Sequence, residues 1–171
     1  MNHDFFMEKA IYLAGNALIN GEFPVGCVIV HEERIIAAAA RYGTKSRSVH
    51  SETDHAEILA LKKLEDSGFQ GDRAALTIYC NLEPCLMCFG AILISGIRNI
   101  VFAYEDVMGG GTACDLVRLP ELYSKWPVVI VPGIMRNESL FLFKKYFSNP
   151  LNNYWNDSLL ARYSLEADYL T

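Results

Sequence analysis

The chain has 171 residues, of which 51% are hydrophobic and 20% are charged. This composition fits one globular domain with its own core and excludes a disordered polypeptide. The net charge of −5 gives no global signature of nucleic-acid binding. Five cysteines in a chain without an export signal argue against a disulfide framework, and the lack of a long apolar run argues against a membrane span. We therefore expect a soluble, cytoplasmic protein that does not bind membranes and whose thiols are reduced or bound to metal.

The first half of the sequence predicts a helix, a hairpin and a second helix. Apolar residues recur every three or four positions in the helical segments, and short apolar runs bounded by turn residues predict the strands. In chain order, the predicted elements are a helix at 3–20, antiparallel strands at 23–30 and 34–40, a polar loop at 41–53, and a helix capped by Thr53 or Asp54 that ends near Ser67.

The second half predicts a strand–helix–strand unit and then one strand and two helices. These elements are a strand at 76–80, a helix at 85–95, strands at 99–103 and 128–131, and helices at 139–147 and 157–170. The strand–helix–strand order implies a right-handed parallel crossover. We predict an α/β fold with a central mixed five-stranded sheet and helices on both faces, in which residues 1–147 form one domain and 148–171 a C-terminal helical extension of it.

Two cysteines at the start of a predicted helix, Cys85 and Cys88, have a spacing that occurs in zinc sites, redox sites and iron–sulfur clusters. His55 begins another predicted helix and would complete three protein ligands, the number typical of a catalytic zinc site that leaves one position for water. Glu57 is then a candidate proton carrier. Residues two apart on a regular helix point about 200° apart, so the spacing alone does not predict that His55 and Glu57 converge.

These residues resemble the signature of the cytidine deaminase-like zinc deaminases, His-x-Glu followed by Pro-Cys-x-x-Cys. The matching segments are 55–57 and 84–88. Residues 24–26 and 82–92 are most similar to the branch that contains the tRNA adenosine deaminases and the nucleoside and nucleobase deaminases. The resemblance implies a three-layer α/β/α fold, a homodimer, Glu57 as the general acid/base, and one Zn²⁺ per chain, held by His55, Cys85 and Cys88.

The resemblance also indicates which residues contact the substrate. The tRNA enzymes carry an Asn where this chain has Arg41, which either binds a carboxylate, phosphate or carbonyl group or is a solvated residue at a strand end. Val25 and Leu82 either flank a planar base or belong to the core, and Asp106 belongs either to a substrate loop or to a turn. Ala56 completes the predicted set of substrate contacts.

The remaining cysteines and the aromatic tail have simpler interpretations. Buried free cysteines usually behave as small hydrophobic residues, which is the role we expect for Cys27, Cys80 and Cys114. Aromatic residues are frequent after position 148. They predict a tail that packs on the body or across a dimer interface, with a base-stacking surface as the alternative.

The sequence therefore predicts a zinc-dependent hydrolase that acts on a cyclic amidine C–N bond. It would convert an exocyclic amine of a nucleobase, nucleoside or related heterocycle to a carbonyl and release ammonia. A small amino-heterocycle is the expected substrate. Adenosine-to-inosine deamination of tRNA is the alternative, with RNA as the substrate, and a non-catalytic, zinc-stabilised interaction subunit is a further one.

Overall fold

A computed structural model describes residues 2–45, 51–125 and 127–170 of the chain. Its strands are β1 (Gly26–His31), β2 (Arg34–Ala40), β3 (Thr77–Leu82), β4 (Asn99–Tyr104) and β5 (Val129–Val131). They form one mixed five-stranded sheet in the order β2-β1-β3-β4-β5. β1 runs antiparallel to β2 and β3, whereas β3, β4 and β5 are parallel. The predicted α/β fold class, the hairpin and the parallel crossover are confirmed.

The helices cover both faces of the sheet. They are α1 (His3–Ile19), α2 (Ala56–Asp66), α3 (Leu86–Ile94), α4 (Glu121–Ser124), α5 (Arg136–Phe147) and α6 (Leu159–Glu166). The predicted cap of α2 at Thr53 or Asp54 is wrong, because the helix begins at Ala56 and His55 is its N-cap. Within the described ranges, no helix has the length and apolar character needed to cross a bilayer.

Side chains of the central strands alternate between two buried faces. Cys27 and Ile29 belong to the core cluster that contains α2 and α3, while Val28 and Val30 belong to the cluster that contains α1. Gly26 permits a close approach of α1, since a Cβ there would lie 2.2 Å from the Ala10 carbonyl oxygen. The start of β1 is therefore fixed directly against α1.

A buried amide connects the strand ends at one edge of the sheet. Asn81 Oδ1 accepts a hydrogen bond from the Gly26 N–H at 2.7 Å, and Asn81 Nδ2 donates to the Pro24 carbonyl at 2.9 Å. Ser139, on α5, donates from its hydroxyl to the Asn81 carbonyl at 2.6 Å. These bonds hold the start of β1, the end of β3 and α5 together, so the residues that flank them have fixed positions.

The tail after α5 packs on the body, as predicted. Leu160 is 1% exposed and belongs to the core cluster that contains α2, α3 and α5. Tyr104, at the end of β4, donates a hydrogen bond from its hydroxyl to Ser164 Oγ at 3.2 Å. The tail therefore contributes to the core of the protein, and its last helix lies against the same sheet edge as Asn81.

Candidate metal centre and its cavity

The predicted metal ligands lie at the N-termini of two helices. His55 is the N-cap of α2 and Cys85 is the N-cap of α3, and both have extended backbone conformations, with φ/ψ of −67°/152° and −65°/167°. Cys88 follows in the first turn of α3. Because His55 precedes the helix, the angle of about 200° between residues two apart on a regular helix does not separate it from Glu57. The side chains of His55 and Glu57 line the same cavity. The free N–H groups of a helix N-terminus also favour thiolates.

The three side chains are close enough to bind one metal ion. His55 Nδ1 lies 3.6 Å from Cys85 Sγ and 3.4 Å from Cys88 Sγ, and the three ligand atoms all lie within 4.8 Å of one another. Zinc with tetrahedral geometry, Zn–S of about 2.3 Å and Zn–N of about 2.0 Å would place the nitrogen and each sulfur about 3.5 Å apart. The spacing of the ligand atoms therefore fits zinc.

The thiols and the imidazole are electrostatically linked. A hydrogen bond from Cys88 lowers the pKa of Cys85 to about 4, with a further contribution from His55, and the same bond together with burial raises the pKa of Cys88. Burial lowers the pKa of His55, but its contact with Cys85 and the charge of Glu57 outweigh burial, so that the pKa is raised. The site thus favours a thiolate at Cys85, which is the form of Cys that binds zinc.

Glu57 is a buried carboxyl group beside these ligands. It is 3% exposed, and its Oε2 atom has no hydrogen-bond partner among the described residues. Burial raises the pKa of Glu57, although its own backbone N–H and the charge of His55 oppose the shift. A carboxyl group with a raised pKa and an unsatisfied oxygen is suited to exchange a proton with a bound water molecule. An unpartnered oxygen here also fits a site that receives a water molecule.

Two of the three ligands, His55 and Cys85, lie on the wall of a cavity of about 370 Å³. Four of the predicted substrate contacts line it together with His55, Glu57 and Cys85: Val25, Arg41, Leu82 and Asp106. Ala56, the fifth, is fully buried in the core cluster next to them. A larger cavity of about 610 Å³ adjoins the first, and both are lined by Glu52, Tyr154 and Trp155.

Arg41 is buried in the wall of the cavity, so its interpretation as a solvated strand-end residue is wrong. It is 3% exposed, and its backbone N–H donates to the Val25 carbonyl at 2.7 Å. Its Nη2 donates to the Ser51 carbonyl at 2.7 Å and to the Tyr154 hydroxyl at 3.3 Å. Its Nη1 has no hydrogen-bond partner among the described residues.

Asp106 is a turn residue, as one of its two interpretations predicts, and it also lies in the cavity wall; its place in a substrate loop stays a prediction. Its Oδ1 accepts hydrogen bonds from the N–H groups of Met108 and Gly109, at 3.0 and 2.9 Å. Burial raises the pKa of Asp106, and the charges of Glu83 and Cys85 act in the same direction. The Asp106 carboxylate therefore stabilises this turn, and the turn forms part of the cavity wall.

Glu83, which sequence reasoning missed, fixes the glycine-rich loop over the start of α3. Its Oε1 accepts hydrogen bonds from the N–H and the hydroxyl of Thr112, and its Oε2 accepts one from the Asp106 N–H. The loop lies so close to the helix that a Cβ on Gly111 would be 2.7 Å from Leu86 Cα. The signal in the sequence was the triple glycine, because a residue without a Cβ permits this close approach.

The sequence indicated an aromatic tail but did not predict which residues of the tail and the adjoining loops close the cavity. They are Phe23, Glu52, Tyr154, Trp155 and Leu160. The Tyr154 hydroxyl donates to Glu52 Oε2 at 2.9 Å across 102 positions of sequence. No local pattern links residues so far apart, so only the aromatic character of the tail could have drawn attention to them.

Sequence comparison gives a family match. A family model described as the cytidine and deoxycytidylate deaminase zinc-binding region matches residues 1–104. The tRNA-specific adenosine deaminase of Buchnera aphidicola subsp. Schizaphis graminum (strain Sg) is 34% identical over 154 residues, which cover 85% of this chain and 93% of that protein.

Structure comparison gives related folds. A structure from a study of A-to-I editing by tRNA:A34 deaminases at the wobble position of transfer RNA is 29% identical with a TM-score of 0.62, and covers 75% of this chain and 97% of that one. The diaminohydroxyphosphoribosylaminopyrimidine deaminase/5-amino-6-(5-phosphoribosylamino)uracil reductase of Thermotoga maritima is 27% identical with a TM-score of 0.63, over 82% of this chain and 38% of that one.

Proposed function

Because the chain belongs to the cytidine and deoxycytidylate deaminase family, whose zinc-binding region it carries, we propose that it removes an exocyclic amine from a nucleobase ring by hydrolysis. Water adds to the ring carbon that bears the amine, the C–N bond breaks, and the products are a carbonyl and ammonia. The observation that carries this proposal is the buried Glu57 carboxyl, whose Oε2 atom has no hydrogen-bond partner among the described residues, beside the three convergent ligands, His55, Cys85 and Cys88.

Each residue of the site has a separate task in this reaction. Zinc held by His55, Cys85 and Cys88 would lower the pKa of a water molecule from about 15.7 towards neutrality. Glu57 accepts the proton of that water and delivers a proton to the leaving nitrogen, a cycle that its raised pKa favours. Val25 and Leu82, which are buried apolar residues of the cavity wall, flank the ring.

Adenosine in tRNA is the substrate that the comparisons favour. The Buchnera relative is named for that activity and covers most of this chain, and the structure from the A-to-I editing study covers three quarters of it. On this proposal the RNA presents an unpaired adenosine to the cavity, since a base must leave the helical stack to reach such a site. The phosphates around it would bind electrostatically, so that affinity falls steeply with salt.

A small amino-heterocycle is the second candidate. The buried Arg41 and the tail residues Tyr154 and Trp155 supply walls that enclose a ligand of limited size. The Thermotoga relative is named for a phosphoribosylated pyrimidine. A non-catalytic zinc-stabilised subunit has less support, because such a subunit has no use for a buried carboxyl group with an unsatisfied oxygen at the metal site.

A substrate panel tests these proposals. We would measure ammonia release from a tRNA anticodon stem-loop carrying adenosine, from adenosine and adenine, and from guanine, cytosine and cytidine. Inosine in the stem-loop, with binding that weakens as salt rises, supports the tRNA proposal, whereas release from free bases or nucleosides alone supports the second. Protein that contains one zinc per chain and releases ammonia from none of them would contradict enzymatic deamination and favour the non-catalytic subunit.

The homodimer and the division into residues 1–147 and an extension at 148–171 stay proposals. Apolar side chains exposed on α3 would suit a dimer interface; they are Leu86, Met87 and Ile94. Light scattering over a concentration series measures the oligomeric state directly. A monomer at all concentrations would contradict the proposed dimer.

A further inference from the structure

Arg41 carries a buried hydrogen-bond donor for which the described part of the chain supplies no acceptor. The side chain lines the cavity that contains His55, Glu57 and Cys85, and its Nη1 atom is buried and has no partner among the described residues. Burying a donor without an acceptor carries a desolvation penalty, and the penalty is larger when the group is charged. A charged donor in this position on the wall of a reaction cavity indicates that a ligand supplies the missing acceptor.

The rest of the guanidinium is held in place, which keeps Nη1 in one position. Nη2 donates to the Ser51 carbonyl and to the Tyr154 hydroxyl, and the Tyr154 hydroxyl in turn donates to Glu52 Oε2. The Arg41 Cζ atom lies 5.8 Å from the centre of the Tyr154 ring, within the range of a cation–π contact. These contacts restrain the planar group before a ligand binds, and a restrained group loses less entropy on binding.

The chemistry of the group limits what it can bind. A guanidinium has only donors and a permanent positive charge, so it selects acceptors, and it binds oxygen atoms that carry full or partial negative charge most strongly. A ring carbonyl, a carboxylate and a phosphate offer such an oxygen. An adenine ring offers only ring nitrogens as acceptors on its base.

We infer that Arg41 is a specificity-determining residue whose Nη1 donates a hydrogen bond to a carbonyl or anionic oxygen of the substrate. The cavity therefore prefers amino-heterocycles that carry such an oxygen over the same rings without it. This inference rests on the proposed deaminase function and adds the class of substrate to it. Tyr154 is a positioning residue, since it orients Arg41 and need not touch the substrate.

Matched substrates test this inference. Cytosine is compared with 4-aminopyrimidine, and guanine with 2-aminopurine, because each second ring lacks only the carbonyl oxygen. Cytidine and its 5′-monophosphate form a third pair. Both carry the ring carbonyl and only the second carries a phosphate, so this pair tests whether Arg41 binds the phosphate. The kcat and KM values of the wild type and of Arg41→Met are measured for each pair. Arg34→Met is the control, because Arg34 is exposed at the opposite end of the same strand.

We expect Arg41→Met to raise KM for the oxygen-bearing member of one pair about 10- to 100-fold, with a smaller change in kcat. The member without the oxygen should change less than about 3-fold, and Arg34→Met should change neither. Equal losses for both members of every pair, or a loss in kcat alone, would show that Arg41 only supports the fold and would overturn the inference. So would efficient deamination of the adenosine stem-loop that is insensitive to Arg41→Met.

Two further measurements keep this result separate from failures of folding and of the proposed function. Tyr154→Phe retains the ring but loses the hydrogen bonds of the hydroxyl with Arg41 and Glu52, so it should raise KM for the same member of the pair by a smaller factor. If wild-type protein deaminates nothing, calorimetry with uracil and with pyrimidine still compares rings with and without carbonyl oxygens. Tighter binding of uracil that is lost in Arg41→Met supports the inference without catalysis, and equal binding of both rings refutes it.

Discussion

His55 Nδ1 lies 3.4 Å from Cys88 Sγ, although 33 positions of sequence separate the two residues. Each belongs to the N-terminal end of a different helix, α2 or α3, and both helices pack on the same face of the sheet. A metal bound between them would therefore link two helices that are otherwise joined only through their packing. Metal binding and stability are coupled in such an arrangement.

Replacing Cys88 with Ala should abolish stoichiometric zinc binding and lower the melting temperature. Removing one of three protein ligands weakens the site, and the folded state loses the free energy that the metal contributes. Cys27→Ala is the control, because Cys27 is equally buried and lies outside the set of ligands. Zinc is measured by elemental analysis and stability by calorimetry. One zinc per chain in Cys88→Ala would contradict the assignment of this ligand.

Replacing Glu57 with Gln should lower kcat about 10²- to 10⁴-fold and leave the zinc content unchanged. The amide has nearly the same shape as the carboxyl group but cannot carry the proton from water to the leaving nitrogen. Glu65→Gln, at an exposed position of the same helix, should retain full activity. Ammonia release on the best substrate of the panel gives the rate. Wild-type turnover by Glu57→Gln would exclude Glu57 as the general acid/base.

Local patterns predicted most of the fold, because helical periodicity and alternating strands depend on neighbouring residues. The Cys85/Cys88 spacing indicated a metal site and the family resemblance supported His55 as its third ligand, whereas the His-x-Glu spacing alone did not predict that His55 and Glu57 converge. The pattern could not predict the backbone conformation of His55. Whether this residue is helical or an extended N-cap depends on how the preceding loop is held. The burial of Arg41 could not be predicted either, because it depends on Tyr154, 113 positions away.

Replacing Gly111 with Ala should destabilise the protein by about 1–3 kcal/mol, because the added Cβ meets the backbone of Leu86, which cannot move without displacing the start of α3. Gly15→Ala provides the contrast. A Cβ at Gly15, inside α1, would have no atom within 4 Å, and Ala should stabilise the helix by about 0.5–1 kcal/mol. Denaturant unfolding measures both. Equal stability of the two variants would show that the loop around Gly111 can move away from Leu86 at no cost in stability, which would contradict the prediction.

Replacing Leu160 with Ala should cost about 2–5 kcal/mol of unfolding free energy, if the tail belongs to the same cooperative unit as the sheet. Leu160 is 1% exposed, whereas Leu165 on the same helix is 46% exposed. Leu165→Ala should therefore change stability by about 0.5 kcal/mol or less. A single unfolding transition shifted in Leu160→Ala supports one domain. A separate early transition of the tail would instead show that residues 148–171 fold apart from the body.

The wall that Glu52, Tyr154 and Trp155 form between the two cavities has a consequence for how this protein can change. None of the three belongs to the set of metal ligands, although Tyr154 and Glu52 hold Arg41 in place. About 370 Å³ of reaction cavity and about 610 Å³ of adjoining space therefore border on the same three side chains. A substitution that shortens Trp155 should enlarge the space beside the reaction centre and leave the metal ligands intact.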